Sequence, residues 1–238
     1  VKEWYEAGLI GEVKEVITWT DRPARGWGFN GQVRTSYPPA EKIPEGMDWD
    51  LWLGPCQEDV PFSRAIHPTT WRPWWSFGCG GLGDIGCHTI DTAYWALGLG
   101  APDRVEVDMT EKANPIHTPN GSIVTYKFPA RGKQPAVDVK WIEGPRLPKA
   151  PKGYDWEIKG NGGFIMVGEK GGISHDGMRP NSPRLYPKSR WESYRKNANE
   201  RVPKTLKRVP GIHNDWVNGI RNSEMTVSDF SYSGPLTE

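Results

Sequence analysis

The sequence predicts an α/β fold of the α+β kind, a large, mostly antiparallel, open-faced sheet with helices on one face. Three observations carry that expectation. Arg104 to Lys112, Ser122 to Phe128 and Ala136 to Glu143 are β-rich runs on short connections, as sequential antiparallel strands are. No long helical pattern separates them, which argues against a parallel, doubly wound sheet. One clear helix, Gly83 to Leu99, precedes them, with Ile85, Ile90, Ala93, Tyr94 and Leu97 on one apolar face.

Taken in order, Val1 to Gly8 reads as the last turns of a helix closed by a C-cap glycine. Val13, Val16, Ile17 and Trp19 then make a first strand near 11–20, entered through Gly11. From Asp21 to about Thr70 the chain is irregular and rich in Gly, Pro and Trp, with a short helical candidate at Trp49 to Leu53. A stretch this long inside a compact domain is usually functional, and its tryptophans argue for order. The helix follows and ends at Gly98 to Pro102. In the third of the later strands Val137, Val139 and Trp141 alternate with Asp138 and Lys140, one face toward a core and one toward solvent or a partner. Pro145 to Pro151 is a proline-rich connector, and 162–174 reads as two short strands around Lys170-Gly171-Gly172. Residues 176–208, basic and broken by proline, are expected as a surface excursion. A short helix from His213 to Arg221 shows Trp216, Val217 and Ile220 on one side, and Ser233 to Glu238 opens another. These ends suggest an internal piece of a longer protein.

Composition narrows the function classes. Thirty basic against twenty-nine acidic residues leave +1, too little for a global attraction to nucleic acid or an anionic membrane. No apolar stretch approaches the ~20 residues of a membrane span. Cys56, Cys79 and Cys87 match no zinc spacing and read as small buried hydrophobes. His67, His117 and His175 fall in expected loops with no ligand partners at metal spacing, so no metal site is expected. A small neutral or mixed-charge ligand remains the best expectation.

The chemistry concentrates in Gly80-Gly81-Leu82-Gly83-Asp84-Ile85-Gly86-Cys87-His88-Thr89-Ile90-Asp91. Asp84 and His88, four apart, share one helix face, so one molecule can meet both. The glycines ahead of them let a backbone approach a bound molecule and place Asp84 in the first helical turn, where the dipole favours a carboxylate. Without further context the commoner reading is that Asp84 caps the helix and His88 is a buried, satisfied histidine. Asp91, a turn beyond His88, supports that residue or, by the commoner use, anchors the helix to a loop. Trp71, Trp74 and Trp75 either stack on a sugar ring or fill a core. Arg72 binds substrate oxygens or forms a surface ion pair, and His213 either faces the site or caps its helix.

Trp71 to Asp91 resembles the signature of the glucose-fructose oxidoreductase and inositol dehydrogenase family, Gfo/Idh/MocA. The resemblance extends through Gly8-Leu9-Ile10-Gly11-Glu12-Val13 and Asp229 to Glu238. It implies the C-terminal substrate domain of a nicotinamide-dependent oxidoreductase acting on a sugar, cyclitol or glycoside hydroxyl. His88 would be the acid/base residue and Asp84 its partner, with Arg72, Trp74, Trp75 and His213 toward the substrate. NAD or NADP would be bound mainly by a domain outside this chain, approaching near Gly80 and Gly81, because no Gly-x-Gly-x-x-Gly follows a strand here. The resemblance thus divides the chain into 1–10, the end of a helix from an N-terminal nucleotide-binding domain, and 11–238, a substrate and oligomerisation domain truncated at its C-terminal end. A homo-oligomer through the open sheet face follows from it, as does inactivity of this piece alone. Trp49 to Pro55 resembles a subgroup with twin-arginine export signals, which leaves periplasm and cytoplasm both open. Competing expectations are a non-catalytic carbohydrate-binding or assembly domain, and an NAD-assisted glycoside lyase or hydrolase.

Overall fold

The computed structural model describes residues 1–24, 32–111 and 114–238. Its elements run α1 (Lys2–Glu6), β1 (Val13–Thr20), α2 (Trp49–Leu53), α3 (Gly80–Leu97), β2 (Arg104–Thr110), β3 (Ser122–Phe128), β4 (Val137–Glu143), β5 (Gly163–Gly168), β6 (Gly171–Asp176), β7 (Arg184–Tyr186), α4 (Lys188–Lys196), α5 (Ile212–Asn222) and α6 (Phe230–Thr237). Seven strands form one sheet in the order β2-β3-β4-β1-β5-β6-β7. All neighbours are antiparallel except β1 and β4, which run parallel from Glu15 opposite Asp138 to Thr20 opposite Glu143. The expected fold class is the observed one. The expected strand end at Lys112 lies outside the described residues.

Alternation along the strands sorts the two faces. Val16, Val137, Val139, Phe164, Met166, Ile173 and Leu185 turn to one side, where Ala93, Ala96 and Leu97 of α3 meet them. Tyr194 of α4 and, less buried, Trp4 of α1 complete that core. Ile17, Trp19, Ile142, Ile165 and Tyr186 turn to the other side. That second face was expected bare. Instead the connector after β4 covers its β1 and β5–β7 half with Tyr154, Trp156 and Ile158. The remaining half bears an ion-paired ladder in which Lys127 reaches Glu106 (3.4 Å) and Asp138 (3.5 Å).

Three other expectations are corrected. Residues 176–208 form β7 and α4 as well as surface, because Trp191 and Tyr194, three apart, give α4 an apolar edge for Trp4. His175 lies in β6 at 1% exposure, stacked on Phe164, and is not a loop residue. Cys79 is exposed, and Cys56 and Cys87 are half-buried, so none of the three is a buried core residue.

The long stretch before α3 has a core of its own. Trp49, Val60, Phe62, Ile66 and Trp74 form it, and Trp49 and Trp52 stack at 4.5 Å. Asp48 caps α2 by accepting from the Leu51 N–H (3.0 Å), and the Trp49 indole donates to the Val60 carbonyl (2.9 Å). Its last turns lead directly into α3, where the Gly80 N–H donates to the Arg72 carbonyl (3.1 Å).

Candidate functional site

α3 begins at Gly80, one turn earlier than the sequence suggested, so Asp84 is past the first turn and does not cap. The glycines are what the packing of this first turn requires. A Cβ on Gly81 would lie 2.3 Å from Glu143 Oε2, and one on Gly80, where φ is +65°, would lie 2.9 Å from the Thr118 side chain. A Cβ on Gly83 would lie 2.5 Å from that of Cys79. Gly80 and Gly81 are both buried, and a side chain added at either would meet the protein's own atoms. Their smallness seats the first turn of the helix on the sheet.

On the open side of α3, Asp84, His88, Asp91 and Trp95 form a stripe with helical spacing. His88 is exposed. Asp84 is half-buried and its Oδ1 is taken by Arg72 Nε at 3.2 Å. Arg72 Nη1 donates to the Thr69 carbonyl (2.7 Å), and the guanidinium lies 4.9 Å from the centre of the Trp71 ring. The pair expected between Asp84 and His88 is therefore an Arg72–Asp84 pair with His88 one turn on, bonded to no described residue. A cation and a carboxylate held together beside an unbonded imidazole can hold a polyol and exchange a proton with it.

The remaining expected residues separate. Asp91 accepts a hydrogen bond from the Tyr232 hydroxyl and so joins α3 to α6. Trp75 is 46% exposed, its indole donating to the Asn114 carbonyl at 3.0 Å. Trp74 is 1% exposed, stacked on Tyr37 at 5.2 Å and edge-on to His117 at the same distance. Its expected contact with substrate is corrected: the aromatic core of the lobe occupies both sides of the ring. His213 is exposed in α5, a helix packed on no other helix or strand among the described residues, and no contact brings it to the stripe. Nor does it cap, since Gly211 is the N-cap.

Sequence reasoning missed Glu143. It ends β4 at 4% exposure, with Oε1 accepting from Ser122 Oγ at 2.7 Å. The Trp141 indole and the Leu82 N–H lie near enough to favour the anion, yet Oε2 has no partner with hydrogen-bond geometry. Burial wins and pushes the carboxyl up to about 7. Its only signal in the sequence is an acid where the alternation of β4 calls for an inward residue. No group of three or more His, Cys, Asp or Glu side chains suited to a metal occurs among the described residues. No helix is long and apolar enough to cross a membrane.

Comparison with known proteins bears on the whole arrangement. Residues 1–155 match the family model described as the C-terminal alpha/beta domain of an oxidoreductase family, Gfo/Idh/MocA. No curated protein matches. Among solved structures the chain is similar to the WlbA dehydrogenase from Bordetella pertussis in complex with NADH and UDP-GlcNAcA, at 13% identity and a TM-score of 0.50, covering 99% of this chain and 54% of that one. It is also similar to an NAD-binding protein from Listeria innocua, at 14% identity and a TM-score of 0.46, covering 99% and 53%. The chain thus spans about half the length of these structures.

Proposed function

Because the chain belongs to the Gfo/Idh/MocA oxidoreductase family, whose C-terminal alpha/beta domain it matches over residues 1–155, we propose that it is the substrate half of a nicotinamide-dependent dehydrogenase acting on a sugar, cyclitol or glycoside hydroxyl. The observation that carries this reading is the exposed His88 one helical turn from a carboxylate already neutralised by Arg72. With Asp84 held by Arg72, the His88 imidazole is left to accept the hydroxyl proton of a bound alcohol. Arg72, held on Asp84, suits hydroxyls, and the exposed ring of Trp75, five residues ahead of α3 in the chain, suits the apolar face of a sugar. The WlbA structure is a complex with NADH and UDP-GlcNAcA, and we extend that pairing of ligand classes here as a proposal only.

NAD or NADP is assigned to a nucleotide-binding domain outside this chain. What the chain contributes is the hold on the alcohol and the path of its proton. The half of the second sheet face left open by the connector after β4 is the surface assigned to subunit contact.

The test needs the protein together with its nucleotide-binding domain. His88→Ala should lower turnover by roughly 10²–10⁴-fold with nicotinamide affinity nearly unchanged, as loss of a general acid/base does. Asp84→Asn should also slow turnover, and the double variant should lose less than the two effects multiplied. Wild-type turnover in a well-folded His88→Ala protein ends the assignment.

A further inference from the structure

The first turn of α3 is seated on a buried carboxyl. Glu143 ends β4 at 4% exposure, under Gly81, where an added Cβ would fall 2.3 Å from Oε2 and 3.3 Å from Cδ. Ser122 Oγ holds Oε1, whereas Oε2 is buried without a hydrogen-bond partner. Two more buried polar atoms lack a partner beside the same turn. One is Trp141 Nε1, close to the carboxyl, and the other is Thr118 Oγ1, 2.9 Å from a Cβ built on Gly80. Native interiors leave few polar atoms unpaired, so three around one helical turn need a reason. Ser122 and Tyr126 face the carboxyl from β3, Trp141 from its own strand and the Leu82 N–H from α3. Arg22, after β1, turns its carbonyl toward Gly81 and its guanidinium to Asp21 at 2.8 Å. None of these groups brings a positive charge to Glu143.

Backbone contacts tie this turn to the candidate site. The Gly80 N–H donates to the Arg72 carbonyl, and Gly78 packs so closely on the Arg72 backbone that a Cβ would lie 2.3 Å from that oxygen. Thr118, against Gly80, donates its own N–H to the Pro73 carbonyl at 2.8 Å. From this anchored backbone the Arg72 side chain reaches Asp84, Nε to Oδ1 at 3.2 Å. The ion pair therefore spans the first turn, one end fixed to Gly80 and the other carried one turn along the helix. Close-packed interiors transmit displacement, so a shift of the turn on the sheet changes the pair beside His88.

We propose that Glu143 is a positioning residue for the candidate site, its buried carboxyl setting where the first turn of α3 lies and so the geometry of the Arg72–Asp84 pair. Neutral, the carboxyl rests against Gly81 as a small polar filler. Ionised, it must recruit donors, and the nearest are the Leu82 N–H of the turn and the Trp141 indole, so the turn moves. Burial raises the group to about 7, which places that change near neutrality. That the pair holds a substrate alcohol rests on the dehydrogenase reading; that Glu143 governs the pair does not.

Two measurements on the protein together with its nucleotide-binding domain test this. The first is the NMR resonance of the Arg72 Nε–H, which reports the pair without turnover. In the wild type it should shift with pH about a midpoint of about 7, and Glu143→Gln, which keeps the shape and cannot ionise, should abolish that step. Ser122→Ala removes a bond that favours the anion, so it should move the midpoint to higher pH and identify Glu143 as the titrating group. Any titration of His88 is common to the three proteins and drops out of the comparison. A flat wild-type resonance overturns the proposal, as does a step that persists in Glu143→Gln. The second is KM for whichever of glucose, myo-inositol and methyl glucoside is oxidised fastest. Between pH 6 and 8 it should rise about threefold or more in the wild type relative to Glu143→Gln, with kcat changing less, because the pair holds the alcohol whereas His88 takes its proton. Parallel KM profiles overturn the positioning role even where the resonance moves, and if none of the three is oxidised the resonance alone decides. The expected resonance steps in a protein whose His88→Ala variant turns over like the wild type end the dehydrogenase reading and support the hold of Glu143 on the pair.

Discussion

Gly81 and Glu143 act as one unit: the glycine lacks a side chain where the buried carboxylate ends, and the carboxylate stays close to its glycine because no other described group takes Oε2. Adding one methyl at Gly81 must displace Oε2 or lift the first turn of α3 from the sheet. Gly81→Ala should therefore cost about 1–3 kcal/mol, the range for overpacking a closed interior. In a Glu143→Ala background the same methyl meets only the Arg22 carbonyl oxygen (3.1 Å), so its cost there should be clearly smaller. Urea unfolding of the four proteins reads the coupling. Equal costs in both backgrounds mean that the carboxylate does not dictate the glycine. The sequence displays the glycines but not the reason for them, because Glu143 is sixty-two positions from Gly81 and only the pairing of β4 brings them together.

At the scale of elements, what was legible follows locality. The runs at Trp49 to Leu53 and Ser122 to Phe128 became α2 and β3 with the bounds their own side chains suggest, since a cap and an alternation are complete within the segment. The parallel pairing of β1 with β4 was not legible, as it joins strands more than a hundred residues apart. α4 was missed because seven of its nine residues are polar and its apolar edge is completed by Trp4 from the other end of the chain. At the site, the His88 and Asp84 spacing was legible, whereas the neutralisation of Asp84 by Arg72 depends on how the loop before α3 folds back. Asp91 illustrates the same limit: its partner, Tyr232, lies on α6, which meets α3 through this bond and an edge-on contact with Tyr94 at 5.8 Å. So few ties make α6 dependent on each. Tyr232→Phe, which keeps the ring, should lower stability by about 1 kcal/mol. Amide exchange should quicken across Phe230–Thr237 and stay unchanged in the core of α3. Unaltered exchange in α6 means the Asp91 bond does not hold it.

The whole molecule carries buried titratable groups of opposite sense, and their sum governs its response to acid. Burial pushes His175 down to about 4, so the fold keeps it neutral while the unfolded chain protonates it. Its contribution is complete above its unfolded value of about 6.5 and is lost as pH falls toward 4. Burial lowers His117 as well, which adds a loss of the same sign. Glu143 runs the other way: raised to about 7, it stays protonated in the fold while the unfolded carboxyl has already ionised. Its contribution is complete below its unfolded value of about 4.5 and is lost as pH rises through 7. Between pH 4.5 and 6.5, then, Glu143 gains stability on acidification while the histidines lose it, and part of the acid sensitivity is hidden. Glu3, lowered to about 2 by its bond with Arg208, adds a loss that sets in near its unfolded value of about 4.5 and so weighs only at the acid edge of this window. Glu143→Gln removes the offset and keeps the shape. Its stability should fall with acidification across that window more steeply than that of the wild type, by at most the ~1.4 kcal/mol per pH unit that one proton supplies. His175→Phe, which retains a ring against Phe164, should have the shallower profile whatever its absolute stability. Urea unfolding at half-unit steps from pH 4.5 to 7 compares the slopes, and parallel profiles for wild type and Glu143→Gln mean that the carboxyl is ionised in the fold at its ordinary pH, with the N-terminal dipole of α3 outweighing its burial.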